Sequence, residues 1–308
     1  GMRPEHSEYT DYPGFYSYKY PKAGQDNSVV TAWSYDIKSR KINRLNVPID
    51  ADGYMPRIKS TVNPNRIVVY TMNRHQDQLC LYAVNPRTTV AQLLIKESVP
   101  KYVQESAVEA IKFVGNNIIL PSDRSGFMNL YIYNMNGHLQ RTIGGKFDIT
   151  EVYGYDAKTG DVYYQAAALA PTDRQVYVNH KNGKTERLTD AEGWNSALFS
   201  GDFQYFINTW SDYNTPYIYT TRTREGKVIS TLQDNAALKK LAAEYGFCKR
   251  EPFEFTTSEG VKLNGWILKP QNFDPSKRYP VIMHQYSGPG SQMVKDEWSA
   301  GSMGSGGA

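Results

Sequence analysis

The sequence predicts a mainly β protein, with a partial β-propeller of about four to five blades over residues 1–232 and a second domain over residues 233–308. Polar turns recur between β-rich segments at successive spacings of about 49, 49, 45 and 43 residues, the period of a propeller blade. Tyrosine, which suits half-buried strands, occurs 24 times in 308 residues. The repeated pattern ends near residue 232, where a helical pattern begins.

The turns of the repeat are rich in Asn, Asp, Gly and Lys, and each separates two short apolar or aromatic segments. Within the third repeat, four such segments are joined by Gly, Asn and Asp turns, and the fifth repeat has the same plan. A sandwich of irregular strands is the alternative, and the even period favours the propeller. The five turns lie near Asp36–Arg40, Asn85–Thr88, Asn134–Gly137, Asn179–Gly183 and Arg222–Gly226.

The segment from residue 234 to residue 247 predicts a helix. Its apolar residues, among them Leu238 and Leu241, fall at helical spacing. Asp234 can cap the start, and Gly246 suits the end. We therefore place the domain boundary near residues 232–250.

Three strands are predicted after the helix. Residues 252–256 and 262–268 form a hairpin around Ser258–Gly260, and the apolar residues 279–283 form a buried strand. That strand leads into the glycine-rich turn 287–290. In α/β-hydrolases, a loop after an early strand supplies a donor to the oxyanion of acyl transfer. Residues 233–308 are therefore interpreted as a linker helix and the truncated start of an α/β-hydrolase domain.

Tyr286 is the candidate catalytic residue, because a phenol directly after a buried strand could donate a hydrogen bond to a developing oxyanion. The alternative is a tyrosine packed in a tight turn. Asp296 and Glu297 are interpreted as a solvated or capping pair rather than a substrate clamp. Arg74 and Arg124, beside turns, are expected to brace strands or face solvent. The nucleophile motif Gly-x-Ser-x-Gly does not occur in the 308 residues.

Composition excludes several other classes of function. The formal charge of +4 is small and its cations are scattered, so nucleic-acid binding has no support. The histidines are isolated, so neither a metal nor a cofactor is expected. Cys80 and Cys248 are expected to be buried free thiols, although a disulfide stays open. No apolar run reaches about 18 residues, so no membrane-spanning segment is expected.

Several motifs, in the same order along the chain, resemble the dipeptidyl peptidase IV group of the prolyl-oligopeptidase-type serine peptidases. The segment Gln285–Gln292, with the sequence Gln-Tyr-Ser-Gly-Pro-Gly-Ser-Gln, is the most specific of them. The others are Tyr20-Pro-Lys-Ala-Gly24, Asn73-Arg-His-Gln76, Ser122-Asp-Arg-Ser-Gly-Phe127, Asn264-Gly-Trp-Ile-Leu-Lys-Pro270 and Asn272-Phe-Asp-Pro-Ser-Lys-Arg-Tyr-Pro280.

The resemblance implies an amino-terminal propeller followed by an α/β-hydrolase domain that releases dipeptides from peptide amino termini, typically after Pro or Ala. It makes Tyr286 the side-chain oxyanion donor. The group's Glu-Glu pair, which grips the substrate amino group, has no counterpart, since no Glu-Glu dipeptide occurs. The triad residues are also absent, so the chain alone is expected to be inactive.

The expected partners are peptide substrates and, in the whole protein, a second copy forming a homodimer. An extracellular or periplasmic location is expected by analogy. Two other functions stay open at this point. One is a propeller-based interaction protein without catalysis, and the other is an acylaminoacyl peptidase or endopeptidase relative.

Overall fold

The computed structural model describes residues 2–5, 14–18, 21–286, 288 and 290–298. The chain forms two compact units. Unit 1 comprises residues 1–109, 115–118 and 133–138, and unit 2 comprises residues 110–114, 119–132 and 139–308. Strands make up 40% of the chain and helices 5%, which confirms the mainly β prediction.

Within the described residues, unit 1 begins with two strand pairs and continues with a four-stranded sheet, named sheet A. The pairs are β1 (Met2–Glu5) with β2 (Gly14–Ser17), and β3 (Trp33–Tyr35) with β4 (Ile42–Arg44). Sheet A has the order β5 (Ile58–Ser60), β6 (Ile67–Met72), β7 (Gln78–Val84), β8 (Ala91–Ser98). A short helix, α1 (Glu105–Glu109), follows it and was not predicted.

Three more four-stranded sheets follow, and in each of them strands that are consecutive in sequence are neighbours. Sheet B contains β9 (Lys112–Val114), β10 (Asn117–Ser122), β11 (Asn129–Asn134) and β12 (Leu139–Ile143). Sheet C contains β13 (Ile149–Tyr155), β14 (Val162–Ala166), β15 (Gln175–Asn179) and β16 (Thr185–Arg187). Sheet D contains β17 (Trp194–Phe199), β18 (Tyr205–Ser211), β19 (Ile218–Thr223) and β20 (Val228–Gln233).

The five predicted turns all connect neighbouring strands, which confirms the repeat. They join β3 to β4, β7 to β8, β11 to β12, β15 to β16, and β19 to β20. Glycines 137, 183 and 226 in the last three turns have φ of 82°, 88° and 91°. This left-handed backbone favours glycine and explains its recurrence at the same place in successive repeats.

Sheet C buries both of its faces inside unit 2, because alternate side chains of a strand point to opposite faces. Val162 and Tyr164 of β14 join a cluster with Leu130 and Ile143 of sheet B. Tyr163, between them in sequence, joins a second cluster with residues of sheet D that include Phe206. Each such side chain contributes roughly 1.5–3 kcal/mol when fully buried. The hydrophobic effect therefore holds the three sheets face to face.

Helix α2 (Ala236–Glu244) confirms the predicted helix. The Ala236 N–H donates to the Asp234 carboxylate at 3.0 Å, and Gly246 ends the helix with φ of 68°. The hairpin of β21 (Arg250–Thr256) and β22 (Lys262–Leu268) is also confirmed. Among the described residues, no helix has both the length and the apolar character needed to cross a bilayer.

The predicted buried strand at residues 279–283 is wrong. These residues form no strand, and Val281, Ile282 and Met283 are 81%, 91% and 85% exposed. An apolar segment becomes a buried strand only when neighbouring strands supply ladder hydrogen bonds and an apolar face. None of the described strands pairs with this segment, and its apolar side chains stay exposed.

Candidate functional site

Tyr286 lies three residues after the exposed segment 279–283 and is 65% exposed. Its ring folds back over the glycine turn. A Cβ built on Gly288 would lie 2.8 Å from Tyr286 Cε1 and 3.1 Å from the hydroxyl oxygen. Any larger residue at position 288 would therefore displace the ring. An exposed phenol can donate a hydrogen bond to a bound ligand.

The turn itself is closed by a hydrogen bond from the Ser291 N–H to the Gly288 carbonyl oxygen at 3.1 Å. Gly290 has φ of 74°, which confirms that the turn needs glycine there. Ser287 and Pro289 of the predicted turn lie outside the described residues. His284, two residues before Tyr286, is exposed.

Residues 292–298, here called the anchor segment, follow the turn and bind to loops of sheets C and D. At its start, Gln292 Oε1 accepts a hydrogen bond from Arg174 Nη2 at 2.6 Å. Gln292 Nε2 donates to the Pro171 carbonyl oxygen at 2.8 Å and to that of Val294 at 2.9 Å. The side chain of Gln292 is therefore held at both its amide atoms.

The Arg174 guanidinium is the centre of this contact. Arg174 is 6% exposed, and its Nη1 donates to the carbonyl oxygens of Pro171 and Asp173 at 3.0 and 2.7 Å. Its Cζ lies 4.4 Å from the centre of the Trp194 ring, a cation–π contact. Burial lowers the pKa of Arg174 from its ordinary value. A guanidinium stays charged despite such a shift, so this is a buried, oriented cation.

Asp296 and Glu297 attach the end of the anchor segment. The Asp296 carboxylate accepts from the Tyr213 N–H at 2.6 Å, and the Asp296 N–H donates to the Thr172 carbonyl oxygen at 3.0 Å. Glu297 Oε1 accepts from the Tyr217 hydroxyl at 3.0 Å. Of the interpretation as a solvated or capping pair, the solvated part is wrong, because both acids bind loops that are distant in sequence.

The environment of Asp296 is unusual for a carboxylate. Burial raises its pKa to about 6, and the negative charges of Asp173, Asp212 and Glu192 act in the same direction. The hydrogen bond from the Tyr213 N–H acts in the opposite direction and favours the charged form. The carboxyl group is thus partly protonated near pH 6.

Arginines 74 and 124 brace neighbouring groups, as expected from their positions beside turns. In unit 1, Arg74 Nη1 donates to the Tyr54 hydroxyl at 2.5 Å. Tyr54 lines a cavity of about 440 Å³ that Glu105 and Gln76 also line. In unit 2, Arg124 Cζ lies 4.0 Å from the centre of the Tyr131 ring.

The cysteines are both free thiols. Cys80 is half-buried, but Cys248 is exposed, so the prediction of burial is wrong for Cys248. Cys248 lies in the connection between the end of α2 and the start of β21. Among the described residues, no group of His, Cys, Asp or Glu has the arrangement of a metal site.

Arg174 and its contacts were missed by sequence reasoning. The residue pair Arg174 and Gln292 is separated by 118 positions, and neither residue stands out by spacing or periodicity. The motif Gln285–Gln292 and the acidic pair at 296 and 297 drew attention to this part of the chain, but neither indicated a contact with Arg174.

Comparison with known proteins places the chain in a family. The profile described as "Dipeptidyl peptidase IV (DPP IV) N-terminal region" matches residues 2–217. Dipeptidyl-aminopeptidase B of Aspergillus niger is 26% identical over 314 residues, covering 94% of this chain and 34% of the relative. Dipeptidyl peptidase 4 of Arthroderma otae is 32% identical over 185 residues, covering 58% of this chain and 24% of the relative.

A solved structure extends the likeness to nearly the whole chain. The crystal structure of Porphyromonas gingivalis dipeptidyl peptidase 4 is 39% identical with a TM-score of 0.89, covering 97% of this chain and 43% of that chain. The chain thus spans less than half the length of the relatives it matches. On the match to residues 2–217, the chain belongs to the family of the dipeptidyl peptidase IV N-terminal region.

Proposed function

We propose that the chain is part of a serine exopeptidase that releases dipeptides from the amino termini of peptides, typically after Pro or Ala, through an acyl-enzyme. The observation that carries the proposal is family membership over residues 2–217, together with relatives that are named dipeptidyl peptidases. The preference for Pro or Ala rests on the motif resemblance.

Tyr286 is the proposed oxyanion donor. In acyl transfer by a serine peptidase, the serine attacks the scissile carbonyl carbon, and negative charge develops on the carbonyl oxygen. A donor aimed at that oxygen stabilises the transition state by roughly 3–4 kcal/mol. The exposure of Tyr286, whose ring lies close to Gly288, supports this role.

The 308-residue chain by itself is proposed to be inactive, because it contains no Gly-x-Ser-x-Gly nucleophile motif. Residues 233–308 are proposed to be the linker helix and the start of an α/β-hydrolase domain. Sheets A to D are proposed to be consecutive blades of a propeller over residues 1–232. The packing of sheet C on sheets B and D supports this arrangement.

The whole protein is further proposed to act on peptides outside the cytoplasm, in the extracellular space or the periplasm. A homodimer is part of the same proposal, by analogy with the resembled group. Sedimentation of the whole protein and a search of its gene for a secretion signal test these two points separately.

Product analysis tests the proposed function directly. The whole protein is incubated with a peptide that has Pro at its second position, and the products are identified by mass spectrometry. Release of the amino-terminal dipeptide supports the proposal. The same peptide with an acetylated amino terminus is the matched control and should stay intact. Cleavage of the acetylated peptide, or internal cleavage alone, would contradict exopeptidase activity.

A fluorophosphonate probe tests the serine mechanism. The probe should label the whole protein and leave the isolated 308-residue chain unlabelled. Labelling of the isolated chain would refute the statement that it lacks the nucleophile.

A further inference from the structure

The anchor segment connects Tyr286 to a buried cation of sheet C. Gln292 lies six positions after Tyr286, and the hydrogen bond from the Ser291 N–H to the Gly288 carbonyl oxygen lies between them. Two backbone carbonyl oxygens and the Trp194 ring orient the guanidinium of Arg174, which also binds Gln292. A rigid group of this kind can fix the position of whatever it binds.

Four further hydrogen bonds attach the anchor segment along its length. The Asp296 N–H and carboxylate bind loops of sheets C and D, respectively, and the Trp298 N–H donates to Ser211 Oγ at 3.0 Å. Arg250 Nη1 donates to the Glu297 carbonyl oxygen at 3.2 Å. The segment after the turn is thus bonded at its start, middle and end. The exposed segment before Tyr286 has no such attachment among the described strands.

We propose that Arg174 is a positioning residue for the oxyanion donor. Through Gln292 it fixes the turn on which the Tyr286 ring rests, so a loop of sheet C sets the position of the phenol hydroxyl. This inference rests on the proposed function. It assigns a role in catalysis to a residue that touches neither substrate nor the reacting atoms.

The first test measures the attachment itself in the 308-residue chain by hydrogen exchange and mass spectrometry. Q292M keeps the side-chain length and removes both the acceptor and the donor of the amide. Hydrogen bonds to charged groups are among the stronger ones, so exchange of the amides from 293 to 298 should rise about tenfold or more. Unchanged exchange in this region would overturn the inference.

The second variant, R174M, removes the guanidinium and should raise exchange in the same region. R222M is its matched control, since Arg222 is also a buried arginine, at 9% exposure. Its Nη1 donates to the Gly226 carbonyl oxygen at 3.1 Å, and its described hydrogen bonds all lie away from the anchor segment. R222M should therefore leave exchange of residues 293–298 unchanged. An equal rise in both variants would indicate general loosening and overturn the inference.

The third test is a double-mutant cycle in the whole protein. Q292M alone should lower kcat about tenfold with little change in KM, because misplacing a catalytic group acts mainly on the transition state. In the Y286F background, Q292M should cause no further loss, since the residue acts through the Tyr286 hydroxyl.

The outcomes of this cycle distinguish the proposed role of Tyr286 from the positioning role of Arg174. Normal kcat in Y286F would refute the proposed role of Tyr286 and, with it, the positioning role. A slow Y286F enzyme with additive losses in the double variant would uphold the proposed function and overturn the positioning role of Arg174. A slow Y286F enzyme with no further loss from Q292M would support both.

Discussion

Replacing Asp296 with asparagine should strengthen the attachment of the anchor segment at neutral pH. Burial raises the pKa of Asp296 to about 6 in the attached state, from an ordinary value of 3.8. The attached state therefore prefers the protonated carboxyl, and attachment is strongest below about pH 4. It weakens as the pH rises from about 4 to about 6, and changes little above that range.

The size of the effect follows from the pKa difference. One pKa unit corresponds to about 1.4 kcal/mol. The difference between 3.8 and about 6 therefore sets an upper limit near 3 kcal/mol on the change in the free energy of attachment. Because Asp296 is only half-buried, solvent screening reduces this limit, and we expect about 1–1.5 kcal/mol. Between pH 4 and pH 7, protection of the segment should then fall about tenfold.

Burial determines the direction of this pKa change, and the charges around Asp296 add to it. Asp173, Asp212 and Glu192 oppose its ionisation, and the Tyr213 N–H favours it. The positively charged side chains of the contacts described above bind groups other than the Asp296 carboxylate. Arg174 binds Gln292, Arg250 binds the Glu297 carbonyl oxygen, and Lys295 lies 5.0 Å from the Trp194 ring centre. The Glu297 carboxylate accepts from the Tyr217 hydroxyl.

The assay is hydrogen exchange of residues 293–298 at several pH values, with each rate divided by that of the isolated peptide to remove the intrinsic pH dependence. Asparagine keeps an oxygen that can accept from the Tyr213 N–H and has no charge at any of these pH values. D296N should therefore abolish the pH dependence and match the protection that the parent chain has near pH 4. An equal pH dependence in both proteins would refute the reasoning.

Three other variants and one reagent test the fold. Gly137→Ala should destabilise unit 1 by about 3 kcal/mol or more in urea denaturation, because its φ is 82° and a Cβ would lie 2.1 Å from the Leu94 carbonyl oxygen. Gly183→Ala, with φ of 88° and no atom within 4 Å of the Cβ, should cost only about 1–2 kcal/mol, and equal losses would contradict the steric argument. Leu130→Ala, at a fully buried position, should lower the free energy of unfolding by about 2–5 kcal/mol, and a loss below 1 kcal/mol would contradict the assigned core. The exposed thiol of Cys248 should react with a chromogenic disulfide reagent in the folded chain, and protection until unfolding would contradict its exposure.

The repeated sheets could be predicted from the sequence because their signals are local. The last three turns have a glycine at their left-handed position, and in the first two the side chains of Asp36 and Asn85 accept backbone N–H hydrogen bonds. The strands between turns are short and apolar. The same holds for α2, whose end at Gly246 was visible as a glycine after a helical pattern.

The remaining features depend on contacts that a local pattern does not contain. The apolar residues 281–283 have the composition of a buried strand, yet burial requires partner strands. The role of Arg174 depends on Gln292, which is 118 positions away. For the same reason, the sequence alone did not show that Asp296 and Glu297 bind the loop that contains Tyr213 and Tyr217.

The most direct test of the central claim is steady-state kinetics of Y286F in the whole protein, with a dipeptide-nitroanilide as substrate. Tyr286→Phe removes one hydrogen-bond donor and little side-chain volume. We expect kcat to fall by about 10²- to 10³-fold, with much less change in KM and an unchanged thermal unfolding curve. A variant with normal kcat and a lowered melting temperature would contradict the account, because Tyr286 would then be a packing residue of the turn.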